Sequence, residues 1–287
     1  MWSVFLNLRR VLQGYQPIFL DHPVEALPRY GHGRPPHPEI SRILAAGAES
    51  YAATLTRFLG FSEPLLRLPV RAERSSPEPS WINPWLFGLD TFALYGFLAS
   101  ERPGLLIEIG SGHSTRVARR AVQDHALATK IVSIDPKPRA EIDGLCDEIV
   151  RRRLEQCDLS IFDRLGAGDM LFFDGSHRTF MNSDVTVFFL EVLPRLKAGV
   201  LVHIHDILLP EDYLPWWEQR FYPHRYWSEQ YVLAASLLAG HSHYTVVLPN
   251  HYVALTRQIA GVLDNFWAAP QLNGVSRDGS SFWIRTR

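Results

Sequence analysis

Apolar positions along the chain follow two different periods. From residue 105 onward, short apolar runs alternate with segments whose apolar residues recur every three or four positions, which is typical of a parallel α/β sheet. Strands are predicted at 105–110, 130–135, 148–154, 169–175, 199–206, 244–249 and 281–286. Helices are predicted at 86–100, 114–126, 138–146, 158–165, 180–197, 228–239 and 254–267, with Asp158 and Ser183 as N-cap candidates.

The first 80 residues differ in composition from the rest. They are rich in proline and aromatic residues and hold one predicted helix, 38–59, in which Gly47 is a weak point. The stretch 71–80, RAERSSPEPS, has the composition of a linker. We therefore expect a mostly helical extension over 1–80 and an α/β domain over 81–287.

Bulk composition excludes several classes of protein. The chain has 287 residues, 46% of them hydrophobic, so it can bury a full core without disulfides or metal. A formal net charge of −1 with scattered arginines predicts no nucleic-acid partner and no membrane-surface binding. No run approaches the roughly 20 apolar residues of a membrane span. With no secretory signal and only Cys146 and Cys157 as cysteines, we expect a cytoplasmic protein.

A glycine turn follows the first strand of the predicted domain. In IEIGSGHST, Glu108 lies near the strand end, and Gly110 and Gly112 flank Ser111. A helix begins near Ser114. Glycines let the backbone approach a ligand closely, and a helix start favours an anionic group. The order of strand, glycine turn and helix predicts a nucleotide-cofactor loop.

The acidic residues around this turn favour one cofactor over another. A dinucleotide loop reads GxGxxG, and the third glycine position here is Thr115. Glu108 would repel a pyrophosphate but can hold the ammonium group of S-adenosylmethionine, whose carboxylate would meet the glycine turn. Asp135 ends the second strand, where it suits the ribose hydroxyls or is a turn aspartate before Pro136. Asp158 either meets the adenine amino group or caps a helix.

These segments resemble the class I S-adenosylmethionine-dependent methyltransferases. The likeness extends to the bacterial family that includes macrolide-sugar O-methyltransferases and enzymes of polysaccharide and natural-product clusters. It covers residues 81–286 and rests on IEIGSGHST, VSIDPKPR, FFDGSH and RLKAGVLVHIHDI. The resemblance implies a Rossmann-like seven-stranded sheet of order 3-2-1-4-5-7-6, with the last strand antiparallel and helices on both faces.

Ionisable residues gather where the fourth and fifth predicted strands end. Asp174 and His177 follow strand four, while His205 and Asp206 end strand five, beyond His203. Methyl transfer to a hydroxyl needs an aligned acceptor and removal of its proton. Asp174, His177 and His205 are therefore the catalytic candidates, although each histidine could instead be structural.

Two mechanisms compete for these residues. In related metal-dependent O-methyltransferases, an aspartate after strand four and an Asp-Asn pair after strand five bind magnesium. The resemblance thus implies Mg²⁺ or Mn²⁺ on Asp174 and Asp206, with Ile207 in place of the asparagine. The other mechanism uses His177 or His205 as a general base, because imidazole titrates near neutral pH.

An aromatic insertion follows strand five, over 208–227. Its aromatic residues are Tyr213, Trp216, Trp217, Phe221, Tyr222, Tyr226 and Trp227. They suit a lid over a sugar or phenolic acceptor, and the alternatives are a patch over the sheet edge or a contact in a homo-oligomer.

The function expected from these features is O-methylation of a small molecule, such as a sugar, glycan precursor or natural product. The alternatives are an N-methyltransferase, an NAD-dependent oxidoreductase and a non-catalytic binding module with the methyltransferase fold. The cofactor loop leaves the acceptor and the position of methylation open, because it concerns the donor alone.

Overall fold

A seven-stranded sheet forms the centre of the molecule. The computed structural model describes residues 11–13, 16, 18, 21–22, 24–25, 27–73, 75–138, 141–215, 217, 225–240 and 242–287. The strands are β1 Leu105–Ile109, β2 Lys130–Ile134, β3 Glu148–Val150, β4 Met170–Phe173, β5 Leu201–Ile204, β6 Tyr244–Pro249 and β7 Phe282–Thr286. Their order is β3-β2-β1-β4-β5-β7-β6, and β7 runs antiparallel to both of its neighbours. This confirms the predicted α/β class and strand order.

Helices cover both faces of this sheet. They are α1 Pro38–Ala45, α2 Ala48–Phe58, α3 Ser62–Leu66, α4 Gly88–Glu101, α5 His113–Asp124, α6 Asp184–Val187, α7 Leu193–Arg195, α8 Glu229–Leu238, α9 Asn250–Leu255, α10 Arg257–Ala260 and α11 Asp264–Trp267. Short 3₁₀ helices lie at Leu59–Phe61, Asp143–Leu145, Leu154–Gln156, Leu159–Arg164, Gly261–Leu263 and Pro270–Leu272. In the described part of the chain, no helix has the length and apolarity needed to cross a bilayer.

Alternation along the strands builds a core on each face of the sheet. In β1, Leu106 belongs to one apolar cluster and Ile107 to the other, as the two-residue period of a strand requires. Helix α4 is buried on all sides, which its nearly unbroken apolar sequence predicts. Its Phe97 ring lies 4.4 Å from Trp283 of β7 and 4.8 Å from Phe58 of α2, measured between centroids. Helix α4 thus packs against both the sheet and the helices that precede it in the chain. The expected boundary between an N-terminal extension and an α/β domain at residue 80 stays a prediction.

Three predicted helices are interrupted in the structure. The helix expected over 38–59 is split into α1 and α2 at Gly47, where an added Cβ would overlap the Tyr51 ring. The helix expected over 254–267 is broken into short turns. The helix expected over 180–197 is observed as α6, a π-helical turn over Phe188–Val192, and α7. In each case the apolar spacing marks the buried face but does not fix the hydrogen-bond pattern along it.

The connections on either side of β3 hold tighter turns than predicted. In place of a helix over 138–146 the described residues form the 3₁₀ turn Asp143–Leu145, because Ile142 is the only fully buried apolar side chain there and Gly144 lies inside the turn. In place of a helix over 158–165 there is the 3₁₀ helix Leu159–Arg164. Strand β3 ends at Val150 rather than at residue 154.

Candidate active site

The predicted cofactor loop joins β1 to α5 and touches the end of β4. Gly110 has a φ of +79°, and an added Cβ there would overlap the carbonyl oxygen of Asp174. Backbone bonds fix this approach, since Gly110 N donates to Ile134 O at 3.1 Å and Asp174 N donates to Ile109 O at 2.9 Å. Only glycine fits this position, and it brings the loop against Asp174.

Glu108 lies beneath the loop and is 1% exposed. The Thr115 hydroxyl donates to its carboxylate, and Thr115 also accepts from Gly112 N at 3.0 Å. Burial raises the pKa of Glu108 to about 7, against the effect of hydrogen bonds from Ser114, Thr115 and Ser111. Thr115 takes the place of the third glycine of a dinucleotide loop, and its hydroxyl is hydrogen-bonded to Glu108.

Space for a ligand lies over Gly112. A Cβ added to Gly112 would meet no described atom within 4 Å. A ligand could therefore approach this stretch of backbone, next to the start of α5 with its free amide groups.

Asp135 holds the loop from the neighbouring strand. Its Oδ2 accepts from Ser111 N at 2.9 Å and its Oδ1 accepts from Lys137 N at 2.7 Å. The carboxylate therefore shapes both the turn after β2 and the cofactor loop, and each oxygen keeps a lone pair for a ribose hydroxyl. Asp158 is exposed and accepts from Ser160 N at 2.9 Å, which gives it the capping geometry. A contact with adenine stays a prediction for Asp158.

Asp174, His177 and Asp206 converge beside this loop. His177 Nε2 lies 3.3 Å from Asp174 Oδ1 and 3.7 Å from Asp206 Oδ2. Each of the three residues has one possible metal-ligating atom within 4.8 Å of such an atom in each of the other two. Both His177 and Asp206 have left-handed backbone, with φ of +63° and +53°. Such conformations are uncommon for non-glycine residues and occur often at functional sites.

Carboxylates surround the His177 ring. Its Nδ1 bonds to Glu229, so that the imidazole faces three acidic side chains. Burial alone would lower the pKa of His177, but Glu229, Asp174 and Asp206 outweigh it, and the pKa is raised well above its usual value.

The three ligand atoms suit a divalent cation. Two carboxylates and one imidazole form a mixed oxygen and nitrogen set, which Mn²⁺ and Fe²⁺ accept and to which Mg²⁺ brings its own waters. Ile207, at the position of the missing asparagine, is buried and apolar, and His177 supplies the third donor instead. The residues therefore fit a metal, with His177 added to the predicted pair Asp174 and Asp206.

Asp90 is a buried carboxylate that is not among the predicted site residues, and it is linked to Asp206 through Ser280. Asp206 Oδ1 accepts from the Ser280 hydroxyl at 3.1 Å, and Ser280 N donates to Asp90 at 2.9 Å. Asp90 also accepts from Ser281 N and from the Asn250 side chain, each at 2.8 Å. The sequence does mark Asp90 as unusual, because it is the one charged residue in the mainly apolar first turns of α4.

His205, directly after β5, adjoins the cluster, and the ring of His203 in β5 lies 5.4 Å from the His205 ring between centroids. His205 Nε2 is 3.1 Å from the Trp85 carbonyl oxygen and 3.6 Å from Asp206 Oδ1. His203 is stacked on Phe172 with centroids 3.8 Å apart, and its Nε2 lies 2.7 Å from Ser281 Oγ. His203 has the contacts of a packed structural histidine, whereas His205 adjoins Asp206 without joining the three converging ligand atoms; its catalytic role stays a prediction.

The end of the aromatic insertion reaches the cluster. The Trp227 ring lies 4.2 Å from the His177 ring, between centroids, and Ser228 N donates to His177 O at 2.8 Å. Elsewhere in the insertion Tyr213 and Trp217 are buried in a small apolar cluster. Trp216, Phe221 and Tyr222 lie outside the described residues.

A cavity of about 200 Å³ lies against the insertion. Its lining includes the aromatic side chains of Tyr213, Tyr226, Trp227 and Tyr231. Trp227 therefore borders both the cavity and His177, so one side chain connects an aromatic pocket with the ionisable cluster.

Comparison with known proteins gives a family match over part of the chain and similar solved structures. Residues 107–207 match a family described as a methyltransferase domain. Among solved structures, the chain is similar to an O-methyltransferase from Bacillus cereus in complex with SAH, at 12% identity over 82% of this chain and 90% of that chain, with a TM-score of 0.40. It is also similar to an SAH-bound methyltransferase from Podospora anserina, at 15% identity over 90% of this chain and 100% of that chain, with a TM-score of 0.42.

No curated protein matches the chain. The family match covers residues 107–207, and the observed strand order is the one that the resemblance to class I methyltransferases implies.

Proposed function

We propose that the protein transfers a methyl group from S-adenosylmethionine to a hydroxyl of a small molecule, such as a sugar, glycan precursor or natural product. The observation that carries the proposal is the contact between Gly110 and Asp174, which places the cofactor loop beside the ionisable cluster. Donor and acceptor chemistry would then take place at adjacent points on the carboxyl edge of the sheet, where ligands bind in open α/β folds.

The loop favours S-adenosylmethionine over a dinucleotide. A buried carboxylate at Glu108 opposes a pyrophosphate and can pair with the ammonium group of the methyl donor. Asp135 would receive the ribose hydroxyls, while the open backbone at Gly112 and the start of α5 would meet the donor carboxylate.

The cluster of Asp174, His177 and Asp206 supplies what hydroxyl acceptors need. An alcohol is a poor nucleophile until its proton leaves, and a carboxylate of the cluster within hydrogen-bond reach can accept that proton. If a divalent ion is bound there, it acidifies the hydroxyl that it coordinates. An amine acceptor needs less help with its proton, so this cluster favours O-methylation over N-methylation.

The aromatic cavity beside Trp227 would hold the ring of the acceptor. A cavity of about 200 Å³ exceeds the roughly 150 Å³ that suffices for a benzene ring. Tyrosine and tryptophan faces stack on sugar or phenolic rings, and their polar tips can bond to hydroxyl groups.

Calorimetry followed by a transfer assay tests the proposal. We expect the purified protein to bind S-adenosylmethionine and not NAD, and to transfer labelled methyl groups to members of a panel of sugars and phenols. Activity that vanishes with chelator and returns with Mg²⁺ or Mn²⁺ would support the metal mechanism. Full activity in chelator would instead support the histidine base. NAD binding alone, or transfer to amines only, would contradict the proposal.

A further inference from the structure

We infer that Glu229 is a positioning residue that fixes the His177 imidazole, so that Nε2 faces Asp174 and Asp206. Glu229 lies on the first turn of α8, directly after the aromatic insertion, and is 52 residues from His177 in the chain. Its Oε1 bonds to His177 Nδ1. The start of α8 would then complete the ionisable cluster, next to the insertion that lines the cavity.

The burial of Glu229 calls for such a role. Its side chain is 1% exposed. Its Oε2 has no hydrogen-bond partner among the described residues. Burying a carboxylate is costly unless it is paired, and the His177 ring is the group that pairs with it. A buried carboxylate whose one bond goes to an imidazole is the arrangement by which proteins hold a histidine in a fixed orientation.

The bond decides which nitrogen serves the cluster. A carboxylate accepts, so His177 Nδ1 carries the hydrogen, and Nε2 is the nitrogen that lies 3.3 Å from Asp174 and 3.7 Å from Asp206. For a metal held by these three residues, Nε2 would be the histidine donor. A carboxylate behind a ligating histidine fixes its tautomer and strengthens it as a ligand.

Residues next to Glu229 hold the same loop. Ser228 N donates to His177 O, and Ser228 Oγ accepts from Thr179 N at 2.9 Å. The Trp227 ring packs on the imidazole. These contacts stabilise the left-handed backbone of His177, a conformation that is costly for a non-glycine residue when unsupported. Three consecutive residues of the chain therefore fix both the backbone and the ring of His177.

Binding of Mn²⁺, followed by the electron paramagnetic resonance signal of the free ion, tests the inference without any turnover. We expect Glu229→Gln to bind Mn²⁺ about 10–100-fold more weakly than the wild type, the usual effect of removing such a partner. His177→Ala should lose more. Glu229→Asp keeps the charge one methylene further away and should lie between the wild type and Glu229→Gln.

Glu211→Gln is the matched control. Glu211 Oε2 lies 3.3 Å from His251 Nε2, in a carboxylate–histidine pair outside the cluster, so this variant should bind Mn²⁺ as the wild type does. Circular dichroism checks that each variant folds. If Glu229→Gln does not fold, the Mn²⁺ affinity of Glu229→Asp is compared with that of the wild type instead.

Two results would overturn the inference: no Mn²⁺ binding by the wild type, or equal Mn²⁺ affinity in the wild type and Glu229→Gln. The inference rests on the proposed function only in assuming that the cluster takes part in methyl transfer to a hydroxyl. If the Mn²⁺ pattern holds but no hydroxyl acceptor is methylated, the proposed function fails and the role of Glu229 stands.

Discussion

The buried carboxylate of Glu108 makes a quantitative prediction about stability. Its pKa is about 7 in the folded protein against an ordinary value of 4.5. At about 1.4 kcal/mol per pH unit, the ionised form costs the folded state about 3 kcal/mol at high pH. Because the folded state holds this proton more tightly than the unfolded state, the contribution of Glu108 to stability falls as pH rises from 4.5 through 7.

Glu108→Gln removes this pH dependence while keeping the size of the side chain. We expect the difference in unfolding free energy, variant minus wild type, to rise by about 2.5 kcal/mol between pH 5 and pH 8. Urea unfolding at a series of pH values measures it, and other titrating groups cancel because both proteins share them. Glu148→Gln, on the exposed strand β3, controls for losing a carboxylate as such.

Donor binding should respond in the opposite direction. An ionised Glu108 pairs with the ammonium group of S-adenosylmethionine, so the affinity of the wild type should rise as pH passes through about 7. The affinity of Glu108→Gln should be lower and should lack this rise. A variant whose stability relative to the wild type does not change with pH, or whose donor affinity matches the wild type at pH 8, would refute the reasoning.

Other substitutions separate the parts of the site. Asp135→Ala should weaken S-adenosylmethionine binding by about 1.5–3 kcal/mol in calorimetry. It should also lower the melting temperature, because the cofactor loop and the turn after β2 each lose one hydrogen bond. Unchanged affinity in a folded variant would contradict the ribose assignment. Gly110→Ala should destabilise the fold through its positive φ, whereas Gly112→Ala should melt as the wild type does yet bind the donor more weakly; equal melting of the two variants would contradict this. Trp227→Leu should lower the rate of methyl transfer with unchanged donor affinity, because its ring packs on His177 and not on the loop.

The sheet and the donor loop could be predicted from sequence because both depend on local signals. Short apolar runs mark strands, and a glycine turn between strand and helix marks the loop. The order of the strands followed from the resemblance to class I methyltransferases. Helix boundaries between strands were less predictable, as the 3₁₀ turns around Asp143 and Leu159 show. There, few side chains reach the core, and backbone geometry rather than apolar spacing decides the turn.

The residues that support the cluster could not be predicted in the same way. Glu229 lies in a helix that spacing predicted correctly, but its contact with His177 exists only after the insertion folds back to β4. Asp90 reaches Asp206 through Ser280, from the far end of the chain. A pattern along the chain shows which side chains are ionisable; long-range packing determines which of them meet.

Three distant segments set the geometry in which the proposed methyl transfer would occur. The β1 loop would hold the donor, and its Gly110 packs on the backbone of Asp174. Asp174 faces the His177 ring, which is fixed from the other side by Glu229. A shift in any one of these elements would therefore move the proposed donor site and the ionisable cluster relative to each other. In-line displacement at a sulfonium is sensitive to errors of about 1 Å, so rigid contacts at these points favour the reaction. The positive φ of Gly110 costs little because glycine has no Cβ, and that of His177 is supported by the bond from Ser228 N to His177 O.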